Sequence, residues 1–498
     1  MGRKKKKNKD NPYILEHMTD EDQRIGSLVD QGVSVKVDNK QIRQDVDISD
    51  PREVYKRITH MNIMPGSGEY LYSTDVVTRE YAYNYTQELN HHSDTSDKAD
   101  ALYALDDMIA TYPNLKGLNL IFSWYGDVKS DQATIQPRQS QQGDVVAFSE
   151  LWNVGSYTRE TALYSNHNKA TPGDVSLTSF IDACNERGIE VTLYPFLSFD
   201  IANVGWRGSL PFDGTIESLN NFEQQYSNFI RHYSQLFGGT NKIHRMIIGS
   251  ELRSLTQLVI DGEYEGVNVL KRLAANVKAD FGSDDTLISY TATSYDYHSH
   301  NGNYNMDALW SDPNIDDIGV SNYLPITDYQ DPSTITYQDM LNGFESGEGW
   351  DHTYPVYNSP DNKVAINPPG EGVEARKNIF GWWNENRSST GWTSRMKPLY
   401  FSEYGFASVS GTTNQPNVFA PSLPRLSTGE ADNEALRDGI SAFNEYWDKK
   451  TQGIEDFAYE RAIWTADLRP YPEFPNKTNV WGDGSYYDKG HWIHGKLK

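Results

Sequence analysis

The stretch KPLYFSEYGF (397–406) joins a short apolar strand to an acidic residue. Its first half contains LYF, which favours β-structure, and Glu403 follows where such a strand would reach solvent. A second stretch, HRMIIGSELRSL (244–255), repeats the pattern with Glu251. Because the carboxyl ends of parallel strands meet at one edge of a sheet, the two acids are predicted to point into one cleft.

Apolar runs and helical patterns alternate along most of the chain around these two stretches. Runs of about four to eight apolar residues separated by helices are typical of a parallel sheet. Seven strands are clear, and the eighth is predicted either at 69–77 or within 144–155. The clear strands are predicted within 117–127, 189–200, 244–252, 287–298, 315–329, 397–406 and 459–475, and the helices at 97–110, 176–188, 216–236, 265–280, 372–387 and 431–449.

This alternation predicts an α/β fold, a (β/α)8 TIM barrel with long insertions over residues 65–498. Residues 1–64 are polar and are predicted to form an N-terminal basic tail and extended arm. The alternative, a doubly wound open sheet, needs a glycine-rich phosphate loop, and neither GxGxxG nor GxxxxGK[ST] occurs. Polar residues at the predicted strand ends, where barrel enzymes carry their chemistry, favour the barrel. They are Asp127, Asp200, Glu251, Asp296, Asn322, Tyr323, Glu403 and Asp467.

The charge and the hydropathy of the chain argue against two classes of partner, nucleic acids and membranes. A formal net charge of −24 repels phosphate backbones, so no nucleic-acid partner is expected. The basic cluster GRKKKKNKDN near the start is the exception, and it is interpreted as a solvated tail. No apolar run approaches the length of a membrane-spanning helix or forms the core of a signal peptide, so membrane insertion is not expected.

Metal and cofactor chemistry is not predicted from this sequence. Cys184 is the single cysteine, which excludes an internal disulfide framework and a Cys-based zinc site, and it is interpreted as a buried core residue. His298 and His300 lie beside Asp296 in YDYHSH, but no third spaced ligand is nearby, so they are interpreted as loop residues at the rim.

The pair Glu251 and Glu403 fits the chemistry of glycosidic bond cleavage. With 69–77 as the first strand, Glu251 ends the fourth strand and Glu403 the seventh, on opposite sides of a barrel mouth. Cleavage needs one carboxyl group to protonate the leaving oxygen and another to attack the anomeric carbon or activate water. Each acid also has a structural alternative: Glu251 as a partner of Arg253 or a helix N-terminal charge, and Glu403 as a partner of Arg461.

Eight motifs occur in order between about residue 110 and residue 498: YPNLKGLNLIFSWYGD, ERGIEVTLYPFLSFDI, IGSELRSLT, DDIGVSNYLPITDY, SEYG, GTTNQPNVF, RAIWTADLRPYPEFP and GHWIHGKL. This series resembles the glycoside hydrolase TIM-barrel-like domain of gene transfer agent and phage tail proteins. The resemblance implies a barrel at the virion tail tip, in contact with other hub or baseplate proteins. It also implies that the barrel acts on host envelope glycan, either peptidoglycan or a surface polysaccharide.

The chain also resembles, more distantly, retaining glycosidases with acids at strands four and seven. On that pattern Glu251 is the acid/base and Glu403 the nucleophile. Ser250 stands where those enzymes usually have the Asn that holds the sugar 2-hydroxyl. Two alternatives to a tail-associated hydrolase remain: an inactive structural or receptor-binding tail component, and a free secreted polysaccharidase.

Further residues are predicted to bind substrate. Trp464 in AIWTAD is predicted either to floor a sugar subsite or to pack in the core. Tyr323 in SNYLP is predicted to donate a hydrogen bond to the nucleophile carboxylate. The other predicted substrate-binding residues are Trp124, Tyr125, Asp127, Asp200, Ser250, Asp296, Asn322 and Asp467.

Overall fold

The apolar runs form eight parallel strands that close into a barrel in the computed structural model of the chain, and the last strand pairs with the first. This confirms the predicted (β/α)8 fold class. The strands are β1 His60–Met64, β2 Gly117–Asp127, β3 Glu190–Phe199, β4 Arg245–Ser250, β5 Leu287–Thr293, β6 Asp317–Ser321, β7 Leu399–Tyr404 and β8 Phe457–Asp467. The structure describes residues 50, 53–64, 68–127, 134–140, 145–165, 170–199, 206–355 and 360–497. Most of the predicted arm therefore lies outside the described residues.

The first barrel strand lies at neither of the two places that the sequence predicted. Residues 69–77 form turns, and the described strands within 144–155, Val145–Phe148 and Asn153–Val154, belong to small sheets outside the barrel. Strand β1 instead lies inside the segment predicted as an arm. The sequence does not reveal this strand, because it has only five residues and carries a polar residue on its inner face. That residue, Asn62, is satisfied inside the barrel, where its amide donates to the backbone oxygens of Ser402 at 3.0 Å and Ala462 at 3.1 Å.

Helices surround the barrel between successive strands. They are α1 Asp100–Thr111, α2 Asp174–Glu186, α3 Ile216–Phe237, α4 Arg253–Thr256, α5 Glu265–Phe281, α6 Asp307–Trp310, α7 Tyr337–Asn342, α8 Ile379–Asn384, α9 Asn433–Lys450 and α10 Glu473–Asn476. Gly188 follows the end of α2 at φ +69°, in the left-handed region that glycine adopts easily.

Helix α3 shows how the sequence sets this outer layer. Thr215 caps its start by accepting a hydrogen bond from the Ser218 backbone at 3.2 Å. Apolar residues recur every three or four positions and are buried against the barrel: Leu219, Phe222, Tyr226, Phe229, Ile230, Tyr233 and Phe237. Each such side chain contributes roughly 1.5–3 kcal/mol to stability when fully buried.

Small β-elements extend the barrel. Thr134–Gln136 pairs antiparallel with the end of β2. Thr78–Tyr81, Tyr85–Glu88 and Val145–Phe148 form an antiparallel sheet. Three two-stranded pairs join Arg138–Gln139 with Leu163–Tyr164, Asn153–Val154 with Tyr157–Thr158, and His352–Thr353 with Val364–Ala365. Among the described residues, no helix is both long and apolar enough to cross a membrane.

Candidate active site

Glu251 immediately follows β4 in a backbone conformation that is unusual for a non-glycine residue. Its φ is +54°, and its backbone N–H donates to the Thr291 oxygen of β5 at 2.8 Å. The side chain is 8% exposed. Its Oε2 atom accepts a hydrogen bond from Trp206 Nε1 at 3.0 Å and forms an ion pair with Arg207, whose Nη2 atom lies 2.9 Å away. Residues held in this left-handed region cluster at functional sites, which makes Glu251 a candidate for one.

Glu403 lies within β7 and is 4% exposed. Two tyrosines hold its carboxylate: Tyr194 from β3 donates to Oε1 at 2.7 Å, and Tyr323, after β6, donates to Oε2 at 3.0 Å. The second bond is the one predicted from the sequence. With both oxygens held, the carboxylate has a fixed orientation.

Arg207 links the two acids. It lies in a 3-10 turn, Arg207–Ser209, between β3 and α3. Its Nη2 atom is 2.9 Å from Glu251 Oε2 and 3.9 Å from Glu403 Oε1, so these two carboxylate oxygens are at most 6.8 Å apart, the value for collinear atoms. The predicted meeting of the acids in one cleft is therefore observed, and the upper limit of 6.8 Å is shorter than the roughly 9.5 Å that marks the longest separation in glycosidases.

The turn that carries Arg207 is itself held from three sides. Arg207 donates to the Ser250 backbone oxygen at 2.9 Å and to the Ser250 hydroxyl at 3.0 Å. Its guanidinium lies over the Phe196 ring, 3.9 Å from the centroid. Gly208 permits close packing, because a Cβ there would lie 2.1 Å from the Trp206 ring. The arginine is consequently positioned before any ligand binds.

Burial and charge shift the titration of Glu403. Burial, and next the negative charge of Glu251, raise its pKa to about 7, although Arg207, Tyr194 and Tyr323 act in the opposite direction. Near neutral pH Glu403 can therefore hold or release a proton, as acid/base chemistry requires.

A cavity of about 1550 Å³ opens above the pair, lined by both acids. Its walls are rich in aromatic rings, which can stack on the C–H faces of sugars. They include Tyr125, Phe196, Phe199, Trp206, Tyr295, Tyr323, Tyr354, Phe419 and Trp464. The cavity is therefore large enough and suitably lined for an oligosaccharide.

Three of the predicted substrate-binding residues line this cavity: Tyr125, Tyr323 and Trp464. Trp464 is 7% exposed and stacks near-parallel to Phe196, with ring centroids 6.4 Å apart. Its peptide bond to Thr465 is cis. Trp464 thus forms part of both the cavity wall and the barrel interior, which combines the two alternatives predicted for it.

Five other predicted residues are described but do not line the cavity: Trp124, Ser250, Asp296, Asn322 and Asp467. Trp124 packs outward, stacks on a ring of α3 and donates to the Tyr233 hydroxyl at 3.0 Å. Asp467 forms an ion pair with Arg469, in which Oδ2 of the acid lies 2.6 Å from Nη2 of the arginine. These side chains are occupied by barrel packing and ion pairing, which strand-end position alone does not reveal.

The remaining predicted residues have other outcomes. Ser250 contacts the Tyr194 hydroxyl at 3.1 Å, so it supports the site from behind. Asp296 is 1% exposed and accepts a short hydrogen bond from Thr293. Asn322 is buried, and its backbone N–H donates to the backbone oxygen of Glu403 at 2.7 Å. Asp127 is the last residue of β2, and Asp200 lies outside the described residues.

The ion-pair alternatives for the two acids do not hold, although Glu251 does lie next to the start of α4. Arg461 pairs with Asp448 at 2.7 Å and not with Glu403. Glu251 pairs with Arg207 and has no ion pair with Arg253 within the described part of the chain.

His298 is not at the rim, because it is buried and its ring lies 6.2 Å from that of Trp382. Within the described ranges, the group with metal-ligating spacing is His60, Glu190 and Glu460. These residues lie at the amino-terminal ends of β1 and β3 and in β8, away from the two acids.

Sequence analysis missed four residues of the site: Tyr194, Phe196, Trp206 and Arg207. The first two occupy alternate positions of β3, and that period of two was a usable signal, because alternate residues of a barrel strand face the interior. The motif WRG, by contrast, follows no periodic pattern. Its role depends on contacts with residues more than forty positions away.

Comparison with known proteins identifies a family for this chain. A family model, the GTA TIM-barrel-like domain, matches residues 224–475, slightly more than half of the chain. No curated protein sequence matches the chain.

Among solved structures, the chain is similar to a GH113 β-1,4-mannanase complex, with a TM-score of 0.47, 15% identity and coverage of 88% of this chain and 94% of that one. It is also similar to the GH113 β-mannanase AaManA from Alicyclobacillus acidocaldarius in complex with ManMIm (TM-score 0.48, 14% identity, 88% and 93% coverage). A β-glucuronidase from Ruminococcus gnavus in complex with D-glucuronic acid has a TM-score of 0.31 and 9% identity, covering 58% and 34%. At these identities the likeness is one of fold alone.

Proposed function

The chain belongs to the GTA TIM-barrel-like domain family, and we propose that it is a glycoside hydrolase that cleaves host envelope glycan. The proposed glycan is peptidoglycan or a surface polysaccharide. The proposed place of action is a virion tail tip, among hub or baseplate proteins, in keeping with the motifs shared with tail proteins. One observation carries the enzymatic part: two buried carboxylates share one arginine at the mouth of a barrel and border one large cavity.

The proposed reaction follows from the pair. One carboxyl group protonates the leaving oxygen while the other attacks the anomeric carbon, and water then hydrolyses the glycosyl-enzyme with the first residue as base. Retaining enzymes separate their carboxyl groups by about 5–5.5 Å and inverting enzymes by about 6.5–9.5 Å. The limit of 6.8 Å between Glu251 Oε2 and Glu403 Oε1 supports retention, because it excludes most of the inverting range.

In the proposed assignment Glu403 is the nucleophile and Glu251 the acid/base. The hydrogen bonds from Tyr194 and Tyr323 support this role of Glu403, because they orient a carboxylate and favour its ionised form. The pKa of about 7 that burial gives Glu403 favours the reverse assignment, in which Glu403 is the acid. The two assignments predict different rescue by azide.

A second candidate function is a tail component that binds glycan without cleaving it. The contact of Arg207 Nη2 with Glu251 Oε2 at 2.9 Å favours this candidate, because a general acid has to release such an ion pair to carry a proton. Ser250 also favours it, since its hydroxyl is already engaged by Tyr194 and Arg207.

The test compares wild type with Glu403→Gln and Glu251→Gln on purified host peptidoglycan, surface glycan and aryl glycosides. Glu217→Gln, on the exposed start of α3, is the matched control. Glu403→Gln should lower turnover of every substrate at least about 10³-fold. Glu251→Gln should spare substrates with activated aryl leaving groups, and azide should accelerate it by capturing the glycosyl-enzyme.

Azide rescue of Glu403→Gln with formation of a glycosyl azide of retained configuration would reverse the assignment, because it requires a glycosyl-enzyme formed without Glu403. Binding of glycan without turnover by wild type and all variants would replace the hydrolase with the binding component.

A further inference from the structure

Two arginines in the cavity wall carry charge that the protein does not neutralise closely. Arg253 begins α4, is exposed, and has no side-chain hydrogen bond or ion pair with any described residue. Arg376 lies between β6 and β7, and its nearest acid, Glu374, is 4.0 Å away and 58% exposed. The Nε atom of Arg376 is buried and has no hydrogen-bond partner among the described residues.

Three of the four described acids that line the cavity have close partners: Glu251 and Glu403 contact Arg207, and Glu348 accepts a hydrogen bond from Arg425 at 2.5 Å. The fourth, Glu374, is the exposed and distant partner of Arg376. The chain as a whole carries a net charge of −24. Two cations left available inside a cleft of such an acidic protein indicate attraction of a negatively charged ligand.

Both arginines border the segment that follows β5. Burial raises the pKa of Asp296 to about 6, and the nearby Arg253 opposes this shift. Burial lowers the pKa of His298 to about 3, with Arg376 contributing in the same direction. The Tyr297 hydroxyl donates to the Arg376 backbone oxygen at 3.0 Å, which fixes that loop against the segment. Both arginines thus line one cavity, Arg253 just after β4 and Arg376 in a loop held against the segment after β5.

We propose that Arg253 and Arg376 form an anion subsite that binds an acidic group of the glycan in this cavity. The inference rests on the proposed function in taking a glycan as the ligand. A guanidinium offers parallel N–H donors that match the oxygens of a carboxylate or a phosphate. Acidic sugars supply the first and phosphorylated glycans the second. The polymer is thereby oriented with an acidic unit on the β4–β5 side of the acid pair.

Binding to the full-length Glu403→Gln variant tests the subsite without cleavage of the probe. The probes are polygalacturonate, polymannuronate and glucuronan, each paired with its carboxyl-reduced form, and phosphomannan before and after phosphatase treatment. Affinity electrophoresis should show at least one acidic form bound about tenfold or more tightly than its neutral partner. The preference should fall as the salt concentration rises.

Adding Arg253→Gln and Arg376→Gln together should bring that ratio close to one. The paired lysine variants should keep part of it, because they retain the charge without the fork. Arg272→Gln is the control, since Arg272 pairs with Glu223 at 2.6 Å on the helix surface and should leave the ratio unchanged. Thermal unfolding of each variant checks that the fold is intact. A preference for phosphomannan alone supports the subsite and assigns phosphate as its anion.

A ratio near one for every probe pair overturns the subsite, as does a ratio that survives the double arginine variant. Binding with the expected preference but no hydrolysis by wild type removes the hydrolase and leaves the subsite. Hydrolysis of a neutral glycan without any acidic preference does the opposite.

Discussion

The two ends of the barrel each place one arginine between two buried acids. At the mouth Arg207 contacts Glu251 and Glu403. At the opposite end Arg245, the first residue of β4, contacts Asp317 at 2.9 Å and Glu460 at 2.6 Å. The residue types are nearly the same, so the difference between the two clusters lies in their surroundings.

The cluster at the amino-terminal end, hereafter the base cluster, is closed and well hydrogen-bonded. Tyr459 donates to Asp317 at 2.5 Å, and His244 contacts Glu460 at 3.0 Å. The Arg245 guanidinium also lies 4.0 Å from the Tyr400 ring centroid. Burial raises the pKa of Glu460, but Arg245 and then His60 and His244 outweigh it and hold that pKa well below its usual range.

At the mouth the balance is reversed, because burial and Glu251 raise the pKa of Glu403 to about 7 and the cavity leaves the pair accessible. An acid kept ionised by close cationic partners contributes to stability, whereas an acid close to its protonation point is poised for proton transfer. The comparison indicates that β4 serves both ends of the barrel. Its first residue, Arg245, stabilises the base cluster, and Glu251 immediately follows its last residue at the mouth.

The largest difference should appear when each arginine is replaced by methionine. Arg245→Met leaves Asp317 and Glu460 without their cation in a sealed site and should destabilise the fold by about 3–5 kcal/mol. Arg207→Met should cost less, about 1–3 kcal/mol, because water in the cavity can solvate the two acids. Urea unfolding measures both values. Equal losses for the two variants would mean that access to the cavity does not distinguish the clusters.

The next difference concerns the pH dependence of stability. The folded-state pKa of Glu403, about 7, exceeds its ordinary value of 4.5, so the folded state binds a proton more tightly than the unfolded state. As the pH rises from about 4.5 to 7, the free energy of unfolding of the wild type should therefore fall, relative to that of Glu403→Gln, by up to about 3 kcal/mol.

Glu460 has the opposite sign. Its lowered pKa contributes stability above its unfolded value of 4.5 that is lost as the pH falls below it. The stability gap between wild type and Glu460→Gln should consequently narrow in acid. Both differences are read from urea unfolding at a series of pH values. A gap for Glu403→Gln that is constant across this window would contradict the raised pKa.

The sequence predicted the barrel well where elements are long and periodic. The helices Ile216–Phe237 and Glu265–Phe281 and the strand Gly117–Asp127 lie within one residue of their predicted bounds. Strand β1 was missed because five residues with an inward asparagine give no apolar run. Asn62 is tolerated only because its partners are backbone oxygens of β7 and β8, about 340 and 400 residues away in sequence.

The candidate site was also predicted only in part. Acids that end apolar strands are visible in a sequence, and Tyr323 lies in such a position too. Arg207 is not visible in this way, because its function depends on contacts with Glu251 and Glu403 across the barrel. The alternation of β3 indicates that Tyr194 faces inward, but not that it donates to Glu403. A strand-end position also said nothing of direction, which is why Trp124 and Asp467 were included although both are engaged elsewhere.

The smallest difference should come from one tyrosine at each end. Tyr323 and Tyr459 each donate a hydrogen bond to a buried acid, at 3.0 Å to Glu403 and at 2.5 Å to Asp317. Replacement by phenylalanine removes one hydroxyl and leaves the ring. Tyr459→Phe should cost about 1 kcal/mol of stability and leave turnover near the wild-type value, because Tyr459 is 38% exposed and water can replace part of the bond.

Tyr323→Phe should lower turnover about tenfold or more with a smaller loss of stability, since Tyr194 still holds the other oxygen of Glu403. It should also raise the pKa of Glu403 further, because a hydrogen bond that favours the ionised form is lost. The acid limb of the pH–rate profile should then shift to higher pH in Tyr323→Phe and stay in place in Tyr459→Phe. Were both profiles to shift alike, the two ends of the barrel would be coupled through its core, and the division between a catalytic mouth and a structural base would fail.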